Sequence, residues 1–376
     1  MTTLGTPRST TDDAARDHAD VTEDLLGEPW VARRVPVAVS DAAPGADHAV
    51  LVHQREAATA PGEAPRHSRA VLYLHGRNDY FFQTNLSDAL LGAGYEFYAL
   101  DLRACGRAGR GYRSPHDVRD LRVHDEEIAE ALRIIREEHG HDVVVLNAHS
   151  TGGLQAVVWA SDHPGTVDAV TLNSPWLDLQ AGGLMRSYGS AAIDLMARRD
   201  PDRIIVDSPL AAQRDTELAG RRDEVLGEGA RTDWAAGAAL GDVEDDLYAR
   251  VLHRRWGGEW DWDLTLKPSP SFPARAGFIA GIRRLQRDVH HGLGITVPVL
   301  LCCSTTSGGE HPTREDALHS DVVLHVDQMI ARAPYLGDDV TLRQVPGGVH
   351  DLVLSPEPAR TDYLAALTGW LRARLG

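Results

Sequence analysis

Cysteine is scarce in this chain: Cys105, Cys302 and Cys303 are its three thiols in 376 residues. An odd number with two adjacent members excludes a disulfide framework, and no spacing around them suits a zinc site. Cys302 and Cys303 lie in an apolar run, where a small buried thiol is an ordinary core residue. Such usage fits a reducing compartment. No run reaches the roughly 18 apolar residues that a membrane-crossing helix requires, so no stable membrane insertion is expected. The polar, acidic start MTTLGTPRSTTDDAARDHAD lacks the basic opening and apolar stretch of a secretory signal. A cytoplasmic location is therefore expected, with residues 1–28 as a polar leader outside the core. Positive charge is also in deficit: 38 Lys and Arg against 55 Asp and Glu give a net charge of −17. That balance argues against nucleic acid or an anionic membrane surface as the main partner, because both require positive charge facing them. No internal repeat of fixed period occurs, which excludes a solenoid.

What the chain does contain is enough apolar material, 43%, for a large core. At roughly 100–200 residues per domain, its length implies one large domain or one domain carrying an insertion. RVPVAVS (34–40) alternates like an exposed antiparallel strand, and HAVLVHQREA (48–57) reads as its partner. Continuous apolar runs follow at 70–76, 96–102, 143–150 and 169–175, as expected of strands buried on both faces of a parallel sheet. Helical patterns alternate with them. LRVHDEEIAEALRIIREEHG (121–140) places Ile128, Leu132 and Ile135 on one face and ends in Gly140. LQAVVWASDHP (154–164) follows the 143–150 strand directly. After Pro175 the alternation stops, and it resumes at 295–304 and 340–348 before a last helix over 361–375. The pattern predicts a doubly wound, mostly parallel α/β sheet formed by 29–175 and 294–376. Residues 176–293 are expected to be a helical cap inserted into it. Within that cap, about 201–245 is dense in charge and small residues and reads as a flap or a solvated helix pair.

The chemistry concentrates at Asn147-Ala148-His149-Ser150-Thr151-Gly152-Gly153, where a strand meets a helix. A serine on a tight strand-to-helix turn flanked by small residues is a nucleophile elbow, G-x-S-x-G with Ala148 in the first glycine position. A serine hydroxyl is a weak nucleophile at neutral pH and needs a base. His350, in the glycine-rich loop Val345-Pro-Gly-Gly-Val-His350-Asp351 between the last strand and last helix, is the base by chain order. His149 and His75 read as structural. The base needs an acid to fix its tautomer; Glu310, Glu315, Asp316, Asp321 and Asp327 are the choices after the strand ending near Ser304. Asp321, before Val322-Val323-Leu324, is preferred, with Asp327 as its rival, while Asp351 reads as a turn cap. Oxyanion donors are expected at the backbone N–H groups of Thr151 and Arg77, the Arg77 side chain being free to point into solvent. Gly76, His149 and Trp176 are expected to border the substrate. The loop 101–111 matches no phosphate-binding spacing; it reads as structural, with its arginines available to an anionic group. Trp234, Trp256, Trp260 and Trp262 line an acyl pocket or pack the cap. No metal cluster has workable spacing.

Together, LHGRND (74–79), DLRACGRAGR (101–110), AHSTGG (148–153), LNSPWLDL (172–179) and PGGVHD (346–351) resemble the α/β-hydrolase superfamily. The nearer likeness is to its branch of monoacylglycerol lipases, lysophospholipases and serine carboxylesterases. The resemblance implies an α/β-hydrolase fold with a lid and a Ser150–His350–Asp321 triad. It also implies oxyanion donors at Arg77 and Thr151, a small-molecule acyl ester as substrate and no cofactor. The family keeps its acid within a few residues of the strand end, whereas here Thr305 to Ser320 intervene. Two rival functions use the same residues differently: an acyltransferase, thioesterase or cyclising enzyme, and a non-catalytic binding protein on a hydrolase fold. The sequence carries no signal for oligomeric state.

Overall fold

The short apolar runs fold as neighbouring strands because each can bury side chains on both faces only inside a covered sheet. The structure is a computed structural model that describes residues 21–57, 64–112, 115–178, 190–205, 247–309 and 312–376. Trp234, Glu310, residues 1–20 of the expected leader and 206–245 of the charge-dense segment lie outside these.

The strands are β1 (Val21–Glu23), β2 (Trp30–Pro36), β3 (His48–Gln54), β4 (Arg69–Leu74), β5 (Glu96–Asp101), β6 (Val143–His149), β7 (Ala169–Asn173), β8 (Ile204–Ile205), β9 (Ala274–Arg275), β10 (Val299–Ser304) and β11 (Val340–Val345). All but β8 and β9 join one sheet in the order β1-β2-β3-β5-β4-β6-β7-β10-β11. From β5 to β11 the pairings are parallel, while β1, β2 and β3 add antiparallel pairs at one edge. The helices are α1 (Thr84–Gly92), α2 (Asp125–Arg133), α3 (Thr151–Asp162), α4 (Ser190–Arg199), α5 (Leu247–Leu252), α6 (Ala276–His291), α7 (Arg314–His319), α8 (Val326–Arg332) and α9 (Ala359–Leu375).

Alternate residues of the central strands divide between two cores, as the period of two requires. Leu72, Leu146, Val170 and Leu301 face one side, with Ile128 of α2, Leu154 of α3 and Ile282 of α6. Val71, Tyr73, Val145 and Leu300 face the other, with Leu86 and Leu90 of α1 and Tyr363 and Leu367 of α9. This is the doubly wound sheet that the strand–helix alternation predicts.

Four stretches differ from the sequence-based expectation. The sheet already begins inside the 1–28 segment expected as leader, with Val21–Glu23 paired to Ala32 and its neighbours. Asp24 is buried in an ion pair with Arg107 at 2.5 Å. The strand expected at 34–40 runs over Trp30–Pro36, because Trp30 and Val31 turn inward and extend the pairing with β3. In the expected cap, α6 packs into the main core through Ile279, Ile282, Leu285 and Val289, and β8 pairs with β9 as a small antiparallel ribbon. The expected helix 121–140 is a 3-10 turn, then α2, then one π turn over Ile134–Glu138.

The loop over 101–110 is held from within. Arg103 is fully buried on Glu127, with Nη2 2.6 Å from Oε2. Arg107 joins Asp24 and Asp101. Both guanidinium groups are thus committed to the scaffold, and neither is available to an anionic ligand. Arg110 alone of the three is exposed, opposite Asp263.

Candidate active site

Strand β6 ends at His149 and α3 begins at Thr151, so Ser150 takes the whole turn between them. Its backbone sits at φ 54°, ψ −117°, a region costly for a residue with a side chain. The turn is possible because its neighbours are small. A Cβ on Gly152 would stand 2.4 Å from the carbonyl oxygen of His75, and one on Gly76 would stand 3.0 Å from the Ser150 Cβ. Ala148, in the first glycine position of the motif, is fully buried in the core, so its methyl group is accommodated.

The loop after β11 brings His350 over this turn. His350 Nε2 lies 3.0 Å from Ser150 Oγ, and its Nδ1 lies 2.9 Å from Asp321 Oδ2. An ionised carboxylate only accepts, so Nδ1–H donates to Asp321 and Nε2 is left to accept from the serine hydroxyl. Ser150, His350 and Asp321 are all buried, at 9%, 4% and 1% exposure. Asp321 is itself fixed by the backbone N–H groups of Val323 and Leu324, which donate to Oδ1 at 2.9 and 2.7 Å.

The long stretch from Thr305 to Ser320 does not carry Asp321 away. It makes an excursion containing α7 and returns. Asp321 N–H donates to Thr306 O, and Gly308 N–H donates to Asp321 O at 2.8 Å. The acid thus lies beside residues just past the end of β10. Asp327 is exposed on α8, Glu315 is exposed, and Asp316 closes a capping box with Thr313.

Thr151 opens α3, whose first N–H groups have no intrahelical acceptor and whose positive end faces the serine. Across from it, the His75-Gly76-Arg77 loop is pinned by His75, which binds Gly76 O through Nδ1 and Leu102 N–H through Nε2. The Arg77 side chain does not point into solvent, as the sequence allowed. Its guanidinium donates to Phe272 O and lies over the Phe278 ring at 5.5 Å, tying this loop to the segment between β7 and β10. Trp176 is half-buried; its N–H donates to Ser150 O at 2.9 Å and its ring packs against the main core.

A second buried network lies directly beside the first. His149 binds the Asn173 carbonyl through Nδ1 at 3.0 Å, and its ring stands 4.8 Å from that of His350. Asp351 accepts from Asn173 Nδ2 at 2.7 Å and Gln83 Nε2 at 3.0 Å, and caps the next turn at Val353 N–H. Burial, the largest influence, holds the His149 imidazole below its usual range. Burial acts to raise the Asp351 carboxyl, but His149, Lys267 and the hydrogen bonds from Gln83 and Asn173 outweigh it and bring it down.

Asp79, His149 and Asp351 offer ligand atoms within 4.8 Å of one another, a grouping that sequence spacing does not reveal. The Lys267 ammonium already sits 2.8 Å from Asp79 Oδ1 and supplies positive charge there. Lys267 is the chain's only lysine. It lies 5.2 Å from the ring centres of both Phe82 and Trp262, within cation–π range of each. Sequence reasoning missed Asp79 and Lys267; the lone lysine among arginines was the available signal. Trp262 is buried in this cluster, and Trp260 Nε1 donates to Leu354 O, so these tryptophans tie residues 247–266 to the loop after β11.

A sequence profile described as serine aminopeptidase, S33 (Hydrolase_4) matches residues 65–251. No curated protein matches the chain. Among solved structures, the monoacylglycerol lipase of Paleococcus ferrophilus is 17% identical, with 81% of this chain and 94% of that one covered and a TM-score of 0.52. A soluble variant of Saccharomyces cerevisiae monoglyceride lipase, bound to a substrate analogue, is 16% identical over 90% and 98% at a TM-score of 0.52. A thermostable carboxyl esterase from Bacillus coagulans, bound to glycerol, is 11% identical over 92% and 99% at 0.56. At such identities these likenesses speak to the fold. Among the described residues, no helix is long and apolar enough to cross a membrane.

Proposed function

We propose that this chain, which has the α/β-hydrolase fold, hydrolyses carboxylic esters, with Ser150 as nucleophile, His350 as general base and Asp321 as the acid that orients the base. The observation that carries this reading is the unbroken hydrogen-bonded path from Asp321 through His350 to Ser150, with steps of 2.9 and 3.0 Å. A triad is recognised by such geometry and not by sequence position.

In the proposed reaction, Ser150 Oγ bonds to the ester carbonyl carbon while its proton passes to His350 Nε2. Asp321 stabilises the imidazolium through Nδ1. The negative oxygen of the tetrahedral intermediate faces the N–H groups of Thr151 and Arg77, at the positive end of α3. When the carbon–oxygen bond breaks, His350 returns the proton to the leaving alkoxide and an acyl-Ser150 remains. A water deprotonated by His350 then releases the acid and restores the serine. No step calls for a metal or redox group. Gly76 supports the turn by its lack of a side chain, while His149 and Trp176 border the serine and shape the substrate's surroundings.

Labelling with a fluorophosphonate probe tests the reading. The intact protein is expected to label and a Ser150→Ala variant to lose the label, with hydrolysis of nitrophenyl esters lost in parallel. Equal labelling of both proteins overturns it. Product analysis then separates hydrolysis, which yields free acid, from acyl transfer or cyclisation, which yields a new ester or a ring.

A further inference from the structure

Next to the two loops that flank Ser150 lies a small pocket bordered by Arg77, Thr151 and Gly152 and walled by Leu102, Leu121 and Phe278. His116 and Gln155 also line it. Among the described residues, His116 Nε2 and Gln155 Oε1 have no hydrogen-bond partner, although the residues are only 5% and 1% exposed. Their chemistry is fixed by what lies behind them. Asn78 N–H donates to His116 Nδ1 at 3.3 Å, so the neutral ring carries its hydrogen on Nε2. Gln155 Nε2 donates to Asp125 Oδ1 at 3.2 Å, which leaves the amide oxygen as an acceptor. His116 is held in this place despite a strained φ of 60°. Its N–H donates to Ala104 O at 2.8 Å, and its ring stacks on Phe272 at 5.3 Å. Buried polar groups without partners are rare and ask for an explanation.

We infer that this pocket selects a short acyl chain that bears a hydroxyl group, an inference that rests on the esterase reading above. The side of the ester follows from the proton balance. The leaving oxygen must lie within reach of His350 Nε2 to receive its proton, and His350 is not among the residues that line this pocket. A pocket that borders the oxyanion donors instead receives the acyl portion. A hydroxyl has the chemistry that both unpaired atoms call for: its oxygen accepts as the partner of His116 Nε2–H, and its hydrogen donates as the partner of Gln155 Oε1. A site with buried polar groups discriminates strongly against an analogue that leaves them unmatched.

The test compares nitrophenyl 3-hydroxybutyrate with nitrophenyl butyrate on wild type, His116→Phe and Gln155→Met. The readout is the ratio of the two kcat/KM values within one preparation, which does not depend on how much of a variant folds. Wild type is expected to favour the hydroxyacyl ester by about tenfold or more, and each variant to lose most of that preference. Equal turnover of both esters by wild type overturns the inference and leaves the esterase reading standing, as does a preference that survives in both variants. Absence of turnover of either ester, with no fluorophosphonate labelling, overturns both.

Discussion

His350 and His149 stand with ring centres 4.8 Å apart, both buried at the carboxyl end of the sheet, yet they keep different company. His350 has a carboxylate on one nitrogen and a hydroxyl on the other. That pairing stabilises the charged imidazole when a proton arrives. His149 has a backbone carbonyl on Nδ1, which fixes a neutral tautomer, and burial further disfavours its charge. Adjacency in the chain to Ser150 therefore counts for nothing, because the elbow aims the two side chains apart. The residue 200 positions away is the one within reach of the hydroxyl. The acids differ in the same way. Asp321 spends one oxygen on backbone donors and keeps the other for His350. Asp351 spends both on Asn173, Val353 and Gln83.

The strongest way to break this contrast is to remove the carboxylate that faces His350. Asp321→Asn is expected to lower kcat about 10⁴-fold, equivalent to about 5.5 kcal/mol of barrier, because the base loses its tautomer and its countercharge. Asp327→Asn, on the exposed surface, is expected to change kcat by less than about twofold, as surface substitutions do. Steady-state hydrolysis of a nitrophenyl ester measures both, and the reverse ranking moves the acid to Asp327. Next in size, Lys267→Met leaves Asp79 buried without its countercharge. It is expected to cost about 3–5 kcal/mol of stability, read as a lower denaturant midpoint, while the ester kcat of the folded protein falls far less than in Asp321→Asn. A 10⁴-fold loss of kcat in a folded Lys267→Met protein would mean that the second network takes part in the chemistry. Smaller again, His149→Gln is expected to reduce kcat/KM by less than about tenfold, or about 1.4 kcal/mol, since it borders the serine without sharing its proton.

These contrasts were unevenly legible in the sequence. Ser150 was legible because the elbow is local: one strand, one turn and one helix, with Gly152 and Gly153 at fixed offsets. The position of His350, the proposed base, was legible because it falls between the last strand and the last helix. The doubly covered strands announced themselves as unbroken apolar runs. Asp321 was harder, since the excursion through α7 separates it from β10 in sequence, and only the hydrogen bonds at Thr306 and Gly308 show that the chain returns. The Asp79–Lys267 pair joins positions 188 apart, a contact that no periodic pattern announces. The three residues of β1 are too few to show alternation, and the charged face of α6 disguised a helix whose other face is core.

The finest separation of the two networks comes from the pH dependence of stability. The His149 imidazole binds its proton less readily in the folded chain than its ordinary value of 6.5. As pH falls through 6.5 the unfolded chain takes up a proton first, so stability present above that pH is lost below it. The Asp351 carboxyl is held below its ordinary 3.8, so its contribution is present above 3.8 and is lost only as pH falls through that value toward the lower folded one. The two groups therefore act in successive windows. Subtracting melting temperatures of His149→Gln from those of wild type is expected to give a difference that shrinks as pH falls from about 7 to about 5, because only wild type loses stability to that proton. For Asp351→Asn the difference should stay flat across that range and shrink only below about pH 4. A flat His149 difference would mean that its charge is accepted in the folded state, and the contrast with His350 would then lie in geometry alone.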